Sequence, residues 1–272
     1  MENQSLNKEE YSQDCQYIDN EFEEQDKFPV DIKYSDDFYG ENEEDESINA
    51  QIRIGFIKKV FGIVFAQLSF TFFCVLLSQL NIIKNFVIHN ENFAVYFIIF
   101  SAICFMVIYF ILICNRELGR TFPYNYIILS AITFFETIMC SSTAMAFSVD
   151  VVLISLFLTI VSAGAIIIYA FKTKEDFSHL GLLLWVLASQ LIAVGILRFF
   201  IRSEFIRVFY CLFGTLVVGI YLVYDVQLIS GKVGLIYEVD DYIFAALELY
   251  IDIIRLFLEI LRIVGKIMDR GN

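Results

Sequence analysis

Ionisable residues recur at regular steps in an otherwise apolar segment near the C-terminus. Glu248, Asp252, Arg255, Glu259 and Arg262 are spaced so that they fall on one face of a helix. A charge in the centre of a bilayer costs about 3 kcal/mol, so this stripe is expected to face a bundle interior or a water-filled cavity. The pattern favours ion or proton handling. The alternative is a self-neutralised stripe that only packs.

A further carboxyl group, Asp225, lies in the preceding apolar segment, which begins Tyr221-Leu-Val-Tyr-Asp225. The two segments are expected to be antiparallel helices, with Asp225 and Asp252 at depths that differ by roughly 7 Å unless tilt closes the gap. Two carboxyls that meet cannot both ionise cheaply and titrate as one unit. This favours a pH-controlled latch or a proton relay. The alternative is an isolated, protonated Asp that is hydrogen-bonded to a neighbouring helix.

Two more ionisable residues are candidates for the same pathway. Glu136 sits midway along an apolar segment among Thr, Cys and Ser residues. It either lines the pathway or is a neutral Glu that donates to a helix carbonyl. Arg120 precedes Pro123 at the start of that segment. It is either a lipid-headgroup anchor or a counter-ion to an acidic site.

Enzyme motifs are not found in this sequence. There are two His, and the zinc-protease, nucleophile-elbow, phosphate-loop and dinucleotide-binding patterns do not occur. The six Cys include no CxxC pair and lie mostly in apolar segments, where they are expected to pack rather than bind zinc or form disulfides. We therefore predict neither an enzyme nor a protein with a bound cofactor.

The acidic charge of the chain belongs to its first fifty residues. Residues 1–50 hold 17 Asp and Glu against three Lys, a net charge of −14, while the remainder has a net charge of +1. Such a segment cannot bury a core and is predicted to be a disordered tail. Its negative charge disfavours nucleic-acid binding.

Apolar segments long enough to span a membrane fill the rest of the chain. A span needs about 20 mostly apolar residues. Seven candidates lie at roughly 60–80, 93–114, 125–147, 151–171, 179–200, 207–230 and 242–264. The predicted fold is an all-α membrane protein in which residues 51–266 form one domain between the tail and a short C-terminal segment, 267–272.

The last two segments resemble a known family. Residues 221–229 (Tyr-Leu-Val-Tyr-Asp-Val-Gln-Leu-Ile) and 238–265 (from Glu238-Val-Asp-Asp to Ile-Val-Gly265) strongly resemble the transmembrane Bax inhibitor motif family, in particular its Lifeguard (glutamate-receptor-associated) branch. Supporting matches begin at Arg53, Arg120 and Lys172. The resemblance runs from about residue 51 to 266.

The resemblance implies a seven-helix bundle with the last helix at its centre. It also implies a pH-sensitive Ca²⁺ leak across an internal membrane (endoplasmic reticulum, Golgi or another endomembrane), together with suppression of cell death. Asp225 and Asp252 match the family's pH-sensing pair and would contact Ca²⁺ transiently as it passes. Arg120, or less well Arg116, matches the latch to that pair by its position relative to Pro123.

This chain also departs from the family pattern. Glu248, Arg255 and Glu259 stand where the Lifeguard pattern has uncharged residues, and the N-terminal tail is acidic rather than rich in Pro and Gly. Glu248 and Arg255 are therefore added to the residues that are predicted to line the ion pathway.

Two alternatives to a channel remain open. One is a proton-coupled cation carrier that uses the same acids. The other is a non-conducting regulator that binds channel or apoptosis proteins in the lipid bilayer.

Overall fold

The computed structural model of the chain describes residues 34–173, 180–200, 204–232 and 237–269. All regular structure in these ranges is helical, which confirms the predicted all-α class. The helices are α1 (Tyr34–Ser78), α2 (Asn81–His89), α3 (Glu91–Cys114), α4 (Arg116–Arg120), α5 (Tyr124–Ala144), α6 (Val149–Lys172), α7 (Leu180–Phe200), α8 (Glu204–Ser230) and α9 (Tyr242–Asp269). A short 3-10 turn, Val239–Asp241, leads into α9.

The chain divides into two compact units, Met1–Ala50 and Gln51–Asn272. Within the first unit, residues 34–50 are helical, whereas the sequence predicts disorder for the whole acidic segment. The four Glu of this stretch have high helix propensity, which supports a helix despite the repulsion between like charges. Residues 1–33 lie outside the described residues, so the disordered tail stays a prediction for them.

Five of these helices are long and apolar enough to cross a membrane. The spans are Ala50–Ser78, Glu91–Cys114, Tyr124–Ala144, Val149–Lys172 and Val208–Ser230. The two other predicted spans are helical, but their described residues do not combine enough length, hydropathy and freedom from charge to be counted as membrane spans. In α7 the apolar stretch covers only Leu183–Ala193 of the described residues. In α9 the ionisable stripe interrupts the apolar sequence.

Helix α9 lies inside the bundle, as its ionisable stripe predicts. It packs against α8, α6 and α5, and nearly all of its side chains from Tyr242 to Leu261 are buried or half-buried. Tyr250 and Phe257 are fully buried, although they are among its bulkiest residues. The contrast is α3, where Ser101 and Leu112 are the buried residues and the remaining surface is apolar. Helix α3 therefore belongs at the lipid-facing periphery and α9 in the interior.

The C-terminus of α8 closes with a Schellman motif. The Lys232 N–H donates to the carbonyl of Gln227 at 3.1 Å and the Gly231 N–H donates to that of Leu228 at 3.2 Å. Gly231 has a φ of +80°, a conformation that a residue with a Cβ adopts only with strain. The motif satisfies carbonyls at the helix end that would otherwise lack partners.

Basic side chains hold neighbouring helix ends to this motif. The Arg53 guanidinium donates to the carbonyls of Leu228 at 2.8 Å and Tyr237 at 3.1 Å, which joins α1 to both sides of the loop after α8. Lys232 Nζ donates to the carbonyls at the end of α6, including that of Phe171 at 2.6 Å. Cations at helix C-termini also interact favourably with the helix dipole.

Replacing Gly231 with Ala should lower the free energy of unfolding in detergent by about 1–2 kcal/mol, because its φ is positive. The added Cβ would also stand 3.2 Å from Arg53 Nε and displace a contact that fixes the loop. Gly164→Ala is the matched control, since no atom lies within 4 Å of its added Cβ and Ala favours a helix interior. Thermal unfolding of both variants measures the difference, and equal melting temperatures would contradict it.

Candidate functional site

The ionisable stripe of α9 differs in exposure along its length. Asp252 and Glu259 are buried, with 8% and 9% of their surface exposed, and Glu248 is half-buried. Arg255 is exposed, although it lies between these acids. Arg262 Nη1 donates to Glu259 Oε1 at 2.7 Å. Over the two turns from Asp252 to Glu259, the acids are therefore buried and the cation between them is exposed.

Asp225 of α8 and Asp252 of α9 lie within hydrogen-bonding reach of each other. The two helices that carry them pack against each other. A hydrogen bond between two carboxyl groups requires one proton, because an ionised carboxylate only accepts. Oδ2 of Asp252 is buried and has no hydrogen-bond partner within the protein.

Arg255 is the cation that acidic residues from three helices share. It interacts electrostatically with Asp252 on its own helix, with Asp225 on α8 and with Glu136 on α5. Glu136 is buried, with 8% of its surface exposed. Tyr109 of α3 lies close enough to interact with Arg255 as well. Of the candidate site residues, the structure therefore groups the two Asp, Glu136 and Arg255 around one position.

Glu248 belongs to the same cluster and also connects it to the loop before α9. Its carboxyl interacts electrostatically with Asp225 and Asp252 and accepts a short hydrogen bond from the hydroxyl of Tyr237. Burial, followed by the neighbouring Glu248 carboxyl, raises the pKa of Tyr237, so this phenol stays a donor. Arg116 of α4 interacts with Glu248 from outside the helix.

Arg120 occupies a different place from the one that the family resemblance implies. Its Nε and Nη2 donate to Asp241 Oδ1 at 2.8 Å and Oδ2 at 3.0 Å, and Glu238 lies 3.2 Å away. In this structure Arg120 therefore pairs with residues at the start of α9 and not with Asp225 or Asp252, and its role as the latch stays a prediction. Asp241 lies eleven residues before Asp252, which is about 16 Å along a helix and beyond the reach of an Arg side chain.

The ion pair at Arg120 fixes the start of α9. Asp241 has only 3% of its side chain exposed, while Glu238 has 71%. The hydrogen bond that Arg120 donates to Asp241 is the main cause that raises the pKa of the Arg120 guanidinium. Sequence reasoning missed Asp241. The signal was the acidic run at residues 238–241 directly before a helix, where the helix dipole favours negative charge.

A polar network joins α1, α5 and α9 and was also missed. The Thr71 hydroxyl lies 2.9 Å from both the Thr137 hydroxyl and the Tyr250 hydroxyl, and Gln67 donates to Thr133 at 2.7 Å. Hydrogen bonds between side chains of neighbouring helices stabilise membrane bundles, because lipid offers these polar groups no other partner. The signal in the sequence was the run of hydroxyl and amide side chains at helical spacing in two apolar segments.

Among the described residues, no group of three or more His, Cys, Asp or Glu is arranged to hold a metal ion. Ca²⁺ in a resident site takes six to eight oxygen ligands, whereas Asp225 and Asp252 bring two carboxyls. The pair therefore does not form a resident site by itself. The described Cys residues are free thiols.

Comparison with known proteins identifies the family. The sequence model of a family described as "Inhibitor of apoptosis-promoting Bax1" matches residues 53–270, which include every site residue discussed above. The chain belongs to this Bax inhibitor family. The resemblance that the C-terminal residues carry is thereby confirmed.

Several characterised relatives are similar over most of this chain. Human "Protein lifeguard 3" is 30% identical over 234 residues, which cover 84% of this chain and 73% of the relative. "Bax inhibitor 1" of Schizosaccharomyces pombe is 31% identical over 222 residues, covering 81% and 80%. The "Golgi anti-apoptotic protein" of vaccinia virus (strain Lister) is 29% identical over 231 residues, covering 84% and 92%.

Replacing Asp241 with Asn should lower the free energy of unfolding in detergent by about 2 kcal/mol, because a charge-assisted, buried pair is lost. Glu238→Gln removes an exposed partner of the same Arg120 and should cost less than about 1 kcal/mol. Denaturant or thermal unfolding compares the two variants. Equal effects would show that burial of Asp241 does not strengthen its pairing.

Proposed function

We propose that this protein is a pH-sensitive Ca²⁺ leak channel of an internal membrane, controlled by Asp225 and Asp252. The observation that carries the proposal is the contact between these two carboxyls, on adjacent buried helices of an apolar bundle. Ionisable groups at such a position mark ion and proton pathways. Ca²⁺ is the permeant ion in this proposal and not a bound cofactor.

One shared proton would hold α8 and α9 together. When the pair loses that proton, the two carboxylates repel each other and the helices separate, which opens a path lined by oxygen ligands suited to Ca²⁺. The groups that face the pair set the pH of this change. They are Glu248 and Arg255 on α9, and the phenols of Tyr109 on α3, Tyr221 on α8 and Tyr237 before α9. Glu136 on α5 acts on the pair only through Arg255.

We propose further that α7 and α9 also cross the membrane, which gives seven spans with α9 at their centre. A helix whose polar stripe is enclosed by other helices need not be apolar throughout, because lipid does not contact the stripe. The burial of α9 and its packing against α8, α6 and α5 support this arrangement.

The names of the relatives support a role in cell-death suppression and ion homeostasis. One relative is named for an anti-apoptotic action in the Golgi, and others are named as a lifeguard protein and a Bax inhibitor. We propose that this chain acts in the same way from the endoplasmic reticulum, the Golgi or another endomembrane.

The two alternatives differ from the channel in what purified protein does. A proton-coupled carrier gives a Ca²⁺ flux that saturates and requires a proton gradient. A non-conducting regulator gives no flux but still captures a channel or apoptosis protein. Ca²⁺ flux into proteoliposomes, measured with and without a proton gradient, distinguishes the channel from the carrier and from the regulator.

Asp225→Asn and Asp252→Asn should each remove the pH dependence of Ca²⁺ flux into proteoliposomes. Asn keeps the shape and the hydrogen bond but cannot ionise, so the flux of each variant should vary by less than about twofold across the pH range of the parent's response. Asp150→Asn is the matched control, since Asp150 is exposed at the start of α6. If both core variants kept the parent's pH profile, the pair would be structural and the regulator would be the better account.

Arg255→Asn should move the pH midpoint of the flux upward by about one unit. The guanidinium favours the ionised form of the neighbouring carboxyls, so without it a higher pH is needed to ionise the pair. Lys58→Asn removes an exposed charge elsewhere and should leave the midpoint in place. A downward shift for Arg255→Asn would contradict the assignment of this residue as the shared cation.

A further inference from the structure

Tyr237 reaches the acidic cluster from the segment that precedes α9. Its hydroxyl donates to the Glu248 carboxyl, and the phenol also interacts electrostatically with Asp225 and with Arg116 of α4. The residue as a whole is half-buried, and burial of the phenol is the largest cause that raises its pKa. Tyr237 therefore has an exposed outer part and an inner end that lies among the ionisable groups. Because the phenol keeps its proton, it remains a donor near neutral pH.

Tyr237 meets the ionisable stripe at its first acid. Helix α9 begins at Tyr242, so Glu248 lies about 9 Å along the helix and Asp252 about 15 Å. Arg255, the exposed cation of the stripe, lies about 20 Å along it. A cation that moves toward the aspartate pair from the membrane face at which α9 begins therefore reaches Glu248 before Asp252.

The backbone of Tyr237 is held in place, so its side chain is the part that can move. Arg53 donates to the carbonyl of Tyr237 at 3.1 Å and to that of Leu228 at 2.8 Å, which ties the residue to α1 and to the end of α8. The bidentate ion pair at the start of α9 holds the helix on the other side. The phenol is attached through its bond to Glu248 and can leave by rotation of its own side chain.

We propose that Tyr237 is a clasp that closes the acidic cluster toward the membrane face at which α9 begins. While the phenol is bonded to Glu248, the ring covers the first acid of the stripe and blocks water and ions from this face. When the side chain rotates away, Glu248 is uncovered and offers its carboxylate to an incoming cation. Control of Ca²⁺ entry by Tyr237 rests on the proposed leak, whereas the closure itself does not.

Access to the stripe from this face is measured with the substitution Ala245→Cys. Ala245 is fully buried, lies one turn before Glu248 on the same face of α9, and is about 15 Å from Arg255 along the helix. It therefore reports on this end of the cluster. The full chain is placed in lipid nanodiscs and treated with iodoacetamide, and alkylation at position 245 is followed by mass spectrometry. The rate tracks the open population when opening and closing are fast relative to alkylation.

Tyr237→Phe keeps the ring, removes the bond to Glu248 and should raise the alkylation rate about tenfold, the factor that corresponds to a hydrogen bond to a carboxylate. Tyr124→Phe is the matched control and should leave the rate unchanged. Tyr124 is exposed at the start of α5, which the bond from Asn125 to Tyr242 joins to the start of α9. Thermal unfolding shows whether both variants are folded.

The bond itself is tested by removing its acceptor. Glu248→Leu should raise the rate as Tyr237→Phe does, and the two changes together should bring no further rise, since one bond is lost in each case. Glu248→Gln keeps an acceptor, so Tyr237→Phe should still raise the rate in that background. If Tyr237→Phe failed to fold, the contrast between Glu248→Leu and Glu248→Gln would still test the bond.

Ca²⁺ flux into proteoliposomes separates the clasp from the leak. Where the parent conducts, Tyr237→Phe should raise the flux several-fold at the pH of the parent's half-maximal flux. A parent without flux, together with faster alkylation in Tyr237→Phe, would contradict the leak and support the closure.

Three results would overturn the proposal. In the first, Tyr237→Phe and Tyr124→Phe would be alkylated at the same rate. In the second, the effects of Tyr237→Phe and Glu248→Leu would add, which would show that they do not share one bond. In the third, a conducting protein would gain faster alkylation with unchanged flux, which would show that ions do not enter at this face.

Discussion

Acidic side chains buried inside an apolar bundle are the constraint on which the rest of this structure depends. A carboxylate withdrawn from water loses its solvation, and the loss is tolerable only if the group takes up a proton, meets an opposite charge or keeps contact with water. Glu259 meets its opposite charge in Arg262. Asp225 and Asp252 are buried on adjacent helices and interact with the exposed Arg255.

The architecture follows from the need to keep this stripe away from lipid. Helix α9 takes the interior position, and α8, α6 and α5 surround it, while α3 faces outward with an almost wholly apolar surface. Close contact with α9 also requires small residues on its neighbours. Gly119 of α4 faces the Phe244 ring, and an added Cβ there would stand 2.5 Å from it. Cations on loops and helix ends then satisfy the exposed carbonyls, as Arg53 does after α8.

The two ends of the acidic cluster differ in chemistry. Around Asp225 and Asp252 the neighbouring groups include further titratable side chains, among them Glu248 and Tyr221. At the start of α9, Arg120 and Asp241 form a bidentate ion pair that holds this end of the helix to α4. Glu248 and Tyr237 connect the two regions.

The sequence by itself determined the helical class, the approximate bounds of five membrane segments and the family, because apolar length and characteristic motifs are local properties of the chain. It also indicated that the last helix lies inside. The partner of each charge was decided only by tertiary structure. The sequence shows that Arg120 lies just before Pro123. It does not show that Arg120 pairs with Asp241 rather than with Asp225 and Asp252, and the structure supplies this partner. Such contacts depend on helix tilt and rotation, which packing sets and a linear sequence does not encode locally.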